Sequence, residues 1–266
     1  MIKIKKDILA IPNSLKLPFK EVFPYRIPSP PKTTHQRRME LIDNNGYIDK
    51  PLYNDRYKQQ DIKAALKIIY NNKCAFCEQR IEQSHIEHYR PKKVYYWLAF
   101  SWDNLILACP TCNQHKGINF EITGISITFV NTNVNIQNIH NSSANYDLLE
   151  KPKMVNPEIN DPSNMIKFHK NGLIESDDER FAYTIETCKI NRADLNDQRR
   201  TLLNIFKEDI RSVLLENTDP KDQKIGLETI VSKFVRDSLS SESPFLAFKR
   251  FAISSGWLSE IAKEMN

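Results

Sequence analysis

The residues best equipped for chemistry lie in one stretch, CAFCEQRIEQSHIEHYRPKKVYYWLAFSWDNLILACPTCNQHKG, residues 74 to 117. Cys74 and Cys77 form one CxxC pair, and Cys109 and Cys112 form a second. A CxxC bends the chain so that both sulfurs reach one ion, and two such bends close a tetrahedral thiolate shell around zinc. In a reducing compartment this pattern reads as metal rather than disulfide. A zinc held by four thiolates has no open position, so its role is structural and it cannot activate water. Binding of that kind supplies on the order of 10–16 kcal/mol, as much as the whole stability of a typical domain. The fifth cysteine, Cys188, stands alone with Phe181 and Ile185 on one helical stripe and reads as a small core residue.

The two pairs are separated by 31 residues, longer than the ~15–20 of a simple zinc ribbon. The insert holds HIEHYRPK and WDNL, and the second pair runs directly into Asn113. Zinc would therefore pin together a Glu87-His88 pair, Asn104 and Asn113. The set resembles the HNH, or ββα-metal, endonucleases of the subclass framed by two CxxC knuckles. There an acid and a histidine end the first strand, an asparagine sits near the second knuckle, and His or Asn follows the last cysteine. The common ending CH..K is CN..K here, with Asn113 and Lys116, which makes the chain an H-N-N variant. HIEHYRPK, WDNLILACPTCNQHKG, NPEINDP, FHKNGLI and TIETCKINRADLNDQRR, in this order, also resemble the retron-associated and Septu-type PtuB-like proteins of bacterial anti-phage systems.

The resemblance implies an α+β fold, a zinc-stapled ββα-metal HNH core embedded in a mainly α-helical protein. It implies hydrolysis of nucleic-acid phosphodiester bonds, DNA favoured, with His88 as general base. An unperturbed imidazole of pKa ~6.5 is mostly neutral at pH 7 and can accept a proton. Glu87 and Asn113 become candidate ligands of a catalytic Mg²⁺ or Mn²⁺, for which hard oxygen donors are suited. Asn104 is expected to orient His88 by hydrogen bonding. His85, two residues before Glu87 on the same strand face, is a further candidate ligand. Arg90, Lys92, Lys93 and Lys116 are candidate phosphate contacts, while His115 reads as solvated. The resemblance also implies a PtuA-like ATPase partner, and possible company of a retron reverse transcriptase with its noncoding RNA and msDNA. No GxxxxGK[ST] loop occurs, so ATP use belongs to another subunit. Two other readings stay open: an RNA- or tRNA-directed nuclease with the same centre, and a non-catalytic zinc-ribbon adaptor.

Other segments must position this set. Residues 54–72, NDRYKQQDIKAALKIIYNN, read as a helix capped by Asn54 or Asp55, with Ile62, Leu66, Ile69 and Tyr70 on one stripe. It delivers the chain into Cys74, and residues 54–121 are read as the HNH core. Tyr95, Tyr96, Trp97, Phe100 and Trp102 are read mainly as the small core around the zinc and secondarily as base-stacking rings. Ahead lies an arm, 1–53. Residues 12–31 carry six of the fourteen prolines and should run extended, wrapping the body. Its first forty residues hold nine Lys/Arg and three acids, whereas the whole chain carries +5, so the arm suits either phosphate contacts or simple solvation. Residues 122–176 are read as a strand-rich connection: ITGISITFVNTNVNIQNI alternates, and Asn171-Gly172 marks a hairpin. Residues 177–266 read as helical, with Leu195, Leu202, Phe206, Ile210 and Val213 recurring at helical spacing. A composition 40 % hydrophobic and 27 % charged is that of a globular protein. No run reaches the ~20 apolar residues of a membrane span, and MIKIKKDILAIPNS lacks a secretory core. A cytoplasmic protein with no membrane association is expected.

Overall fold

The computed structural model describes residues 1–20 and 30–265. Its helices and strands are α1 (Thr34–Asp43), α2 (Pro51–Asn54), α3 (Gln60–Ile69), β1 (His85–His88), β2 (Leu105–Ala108), α4 (Pro110–Lys116), α5 (Asn133–Gln137), α6 (Ser143–Glu150), β3 (Lys167–Phe168), β4 (Ile174–Glu175), α7 (Glu179–Thr187), α8 (Ala193–Glu216), α9 (Pro220–Leu239), α10 (Leu246–Ser254) and α11 (Trp257–Met265). The architecture is mainly helical with two short two-stranded sheets. A β1–β2–α4 unit sits at its centre, the embedding expected from the sequence.

The expected helix over 54–72 is two helices. Pro51 starts α2, which ends at Asn54, and residues 55–59 turn before α3 begins at Gln60. Asn54 and Asp55 therefore end one helix instead of capping the next. The apolar stripe holds: Ile62, Leu66 and Tyr70 are buried and Ile69 packs against them. Asn71 and Asn72 then take left-handed conformations, which asparagine tolerates, and turn the chain into Cys74.

The arm wraps the body but is not a free cationic tail. Leu15 is fully buried, Ile4 N–H donates to Pro157 O, and Ser14 donates to Asp61. Three of its cations serve inside. Lys6 Nζ donates to Trp102 O at 2.7 Å and Leu105 O at 2.6 Å and pairs with Glu158. Arg38 donates to the carbonyls of Trp97 and Phe100. Arg37 pairs with Glu40. Carbonyls that close the loop around the centre need buried donors, which the charge count alone did not reveal. Pro24, Pro28 and Arg26 lie outside the described residues.

The strands expected over 122–139 do not form among the described residues. Ile122 makes an isolated bridge to Pro152, and α5 occupies 133–137. Ile127 and Phe129 still face a small cluster with Trp97 and Ile139, so the alternation reflects one-sided burial without a partner strand. The hairpin at Asn171-Gly172 is present, with Lys167 opposite Glu175 and Phe168 opposite Ile174. Gly172 has φ +90°, and a Cβ there would lie 2.1 Å from Asn196 O, so only glycine fits. The C-terminal stripe is helical as read: Leu195, Phe206 and Ile210 of α8 are buried, and Leu202 is half-buried. One continuous core joins the cysteine knuckles to α7, α8, α10 and α11, and contains Cys188. Among the described residues no helix is long and apolar enough to cross a membrane.

Candidate active site and metal centre

The four knuckle sulfurs lie within 4.8 Å of one another, and all four cysteines are buried. Local rules explain each bend. Pro110 occupies the first turn of α4, where a missing N–H costs nothing, and Cys109 Sγ accepts the Cys112 N–H at 3.4 Å. The first knuckle is tied to β2 by Ala75 N–H donating to Leu107 O at 2.8 Å. Hydrogen bonding to Cys109 holds Cys77 and Cys112 above the usual thiol range, burial raises Cys74, and Cys109 is pulled down. Four sulfurs packed this closely cannot all ionise without a cation between them. The donor set fits tetrahedral zinc.

β1 pairs antiparallel with β2, setting Glu87 opposite Ile106 and His88 opposite Leu105. Helix α4 packs on β1 and ends at Gly117, φ +48°. His88 is 5 % exposed. Its Nε2 lies 3.0 Å from Ala99 O. A carbonyl only accepts, so Nε2 carries the hydrogen and Nδ1 keeps the basic lone pair. Burial, with Lys92 and Lys116 nearby, pushes the imidazole down to about 3, so it is neutral at pH 7. The Tyr57 ring meets it edge-on, centroids 4.5 Å apart.

Glu87 is also buried. Its Oε1 accepts from Lys116 Nζ at 2.8 Å, and Lys116 donates again to His88 O at 2.8 Å. Burial still raises the Glu87 carboxyl, against the pull of Lys116. His85 Nδ1 and Asn113 Nδ2 are 3.0 Å apart. With the amide nitrogen donating, Asn113 keeps its oxygen as a metal donor. His85, Glu87, His88, Lys92, Lys93 and Asn113 all line one cleft of about 580 Å³.

Three expected roles are corrected by the geometry. Asn104 does not orient His88: its Oδ1 accepts from Arg90 N–H at 2.7 Å and its amide donates to Arg90 O and Leu98 O. It buckles the β1–β2 loop, and the orienting partner of His88 is the Ala99 carbonyl in that loop. Arg90 is not a phosphate contact: it is fully buried and pairs with Asp147 at 2.6 Å and Glu150 at 2.9 Å inside a ring of Tyr89, Tyr95, Phe120 and Tyr146. Lys116 is fully buried and spent on Glu87. Lys92 and Lys93 do reach the cleft. His115 is exposed, and Tyr95, Trp97, Phe100 and Trp102 are core.

Two residues had no role assigned from the sequence, although Arg192 falls within the stretch TIETCKINRADLNDQRR. Tyr57 lies outside any motif. Arg192, at the start of α8, places Nη1 3.5 Å from Cys112 Sγ and Nη2 4.0 Å from the sulfurs of Cys77 and Cys109. It is 80 residues or more from every cysteine it touches, and only the fold brings it there.

Comparison with known proteins agrees with this geometry. Residues 74–118 match the HNH endonuclease family. The match spans the two knuckles, β1, β2 and α4. The chain is also 30 % identical over 164 residues to the Septu protein PtuB of Bacillus mycoides (strain KBAB4), covering 54 % of this chain and 52 % of that protein. It is 29 % identical over 137 residues to the Septu protein PtuB of Bacillus thuringiensis, covering 50 % of this chain and 42 % of that protein. The chain thus spans about half the length of the curated relatives it matches.

Proposed function

We propose that this chain is a metal-dependent HNH endonuclease that hydrolyses phosphodiester bonds, with DNA favoured, as the effector of an anti-phage system of the Septu type. The observation that carries the reading is the buried, neutral His88, its tautomer set by Ala99 O, beside Glu87 and Asn113 in a cleft framed by the four cysteines. Nδ1 of His88 takes the proton of the attacking water, and the Ala99 carbonyl holds the ring against rotation as it becomes cationic. A base lowered to about 3 by burial is weak when alone. A phosphodiester entering the cleft brings the anion that offsets that burial.

Glu87, Asn113 and His85 would hold Mg²⁺ or Mn²⁺, which supplies charge neutralisation at the phosphate and the departing oxygen. Two donors suit such an ion as they stand, a carboxylate with one oxygen left by Lys116 and an amide oxygen; His85 would join them only by giving up its Nδ1 contact with Asn113. Lys116 fixes the carboxylate without filling the cleft, and Lys92 presents a cation to the phosphate. The similarity to PtuB supports a PtuA-like ATPase as partner, joining through surfaces outside the HNH segment.

Side-by-side digestion of DNA and RNA with Mg²⁺ or Mn²⁺, with and without a PtuA-like ATPase, tests the reading. DNA nicking abolished by EDTA is expected. Cleavage of RNA alone would move the substrate to RNA. Binding of nucleic acid without cleavage of either polymer would favour a zinc-ribbon adaptor.

A further inference from the structure

The matched segment, 74–118, does not line the cleft alone: Tyr57, Lys58 and Lys63, which precede it, line it too. Tyr57 is 5 % exposed and touches two residues of the centre at once. Its ring lies against the His88 imidazole, and its hydroxyl accepts from Lys92 Nζ at 2.6 Å. Lys92 donates a second hydrogen to Asn54 Oδ1 at 2.8 Å. An ammonium has three donors, so one remains for a ligand.

The cleft lining carries Lys58, Lys63, Lys92 and Lys93 against a single carboxylate, Glu87, already paired with Lys116. Lys58 and Lys63 have no carboxylate within ion-pair distance among the described residues. Asp49, outside the lining, offsets part of the charge of Lys58, Lys92 and Lys93. Four lysines against these two carboxylates, one of them already paired, still leave a cationic excess suited to a polyanion. Burial pushes Lys92 down to about 8, which leaves it mainly cationic at pH 7.

We infer that residues 54–63, outside the matched segment, form the second wall of the substrate groove. In it Tyr57 is a positioning residue that fixes His88 and Lys92 relative to each other, and Lys58 and Lys63 bind backbone phosphates flanking the scissile one. The inference rests on the nuclease reading for its substrate and extends it to residues that reading does not use. Tyr57 and Lys58 reach the cleft from the turn at 55–59 that separates α2 from α3.

The test has a binding arm and a kinetic arm. In a His88→Ala background, binding of a fluorescent oligonucleotide is measured against salt. Lys58→Gln with Lys63→Gln should lower the slope of log affinity against log salt by about 0.7–0.9 for each lysine. Lys224→Gln, exposed on α9, should leave it unchanged. In the active protein, Tyr57→Phe keeps the ring but releases Lys92, so KM should rise with kcat nearly unchanged. Tyr57→Leu also loses the ring and should lower kcat. Zinc content and melting temperature of each variant separate these effects from misfolding. An unchanged salt slope, or Tyr57 variants with wild-type kinetics, would overturn the inference while leaving a cleaving wild type as a nuclease. A lysine-dependent slope in a protein that never cleaves would keep the groove and discard the nuclease.

Discussion

Lys116 shows how a side chain expected at a phosphate can turn inward. It follows the second knuckle in the pattern CN..K, and a lysine beside a nuclease centre invites a phosphate. In the fold it is fully buried and ties the Glu87 carboxylate to the backbone of His88. Arg90 has the same history, closed in by Asp147 and Glu150. Motif spacing located both residues, but which way each points depends on α4 and on α6, which is far away in sequence. Removing one partner of a buried pair leaves the other charge uncompensated, so Lys116→Met should destabilise the protein by about 3–5 kcal/mol in urea unfolding at neutral pH. A loss under about 1 kcal/mol, the size of an exposed pair, would contradict this placement. Glu87, His88 and Asn113 were singled out by the resemblance to HNH endonucleases, and the fold places all three along one cleft. The cysteines were legible because metal-ligand spacing is local. Tyr57 and the Ala99 carbonyl were not, since a ring contact and a backbone acceptor have no residue signature.

At the scale of elements, apolar stripes and Gly or Pro punctuation carried the reading. They gave the stripe of α3, the hairpin at Gly172 and the face of α8. The break at 55–59 was missed, because no glycine or proline marks it. The missing strands over 122–139 have a different cause: period-two alternation reports burial of Ile127 and Phe129 and says nothing about a partner strand. The loop between β1 and β2 is joined to the segment before α6 through His140. Its Nδ1 accepts the Trp102 N–H at 3.0 Å, and Asp103 Oδ2 caps the α6 N-terminus through Ser142 and Ser143. Burial pushes His140 down to about 3 from 6.5, with the Arg38 charge adding to the effect. The unfolded chain therefore takes up the proton first as pH falls. The contribution of neutral His140 to stability is full above about pH 6.5 and erodes from there toward pH 3. Wild type should lose more of its urea midpoint between pH 7 and pH 5 than His140→Gln, and equal losses would refute the assignment.

For the whole molecule, the HNH segment is not a free-standing bead. Its cysteines share a core with α7, α8, α10 and α11, and Arg192 brings a guanidinium to three of the four sulfurs. A zinc bound by four thiolates would carry a net charge of about −2, which Arg192 and the Cys112 N–H donating to Cys109 Sγ would offset. Arg192→Met should accelerate zinc release to a chromogenic chelator without unfolding α8, whereas an unchanged release rate would show that the contact is incidental. The small ββα unit was what the resemblance to HNH endonucleases implied, and the helical C-terminal region was readable from periodicity. The contacts that weld the two were not, because they join residues 80 or more positions apart. The central claim remains that His88 and the four cysteines do different work in one small unit. Cleavage by wild type and His88→Ala, with bound zinc measured in both, tests it most directly. The account predicts loss of cleavage with zinc retained. Equal cleavage by the two forms would contradict it.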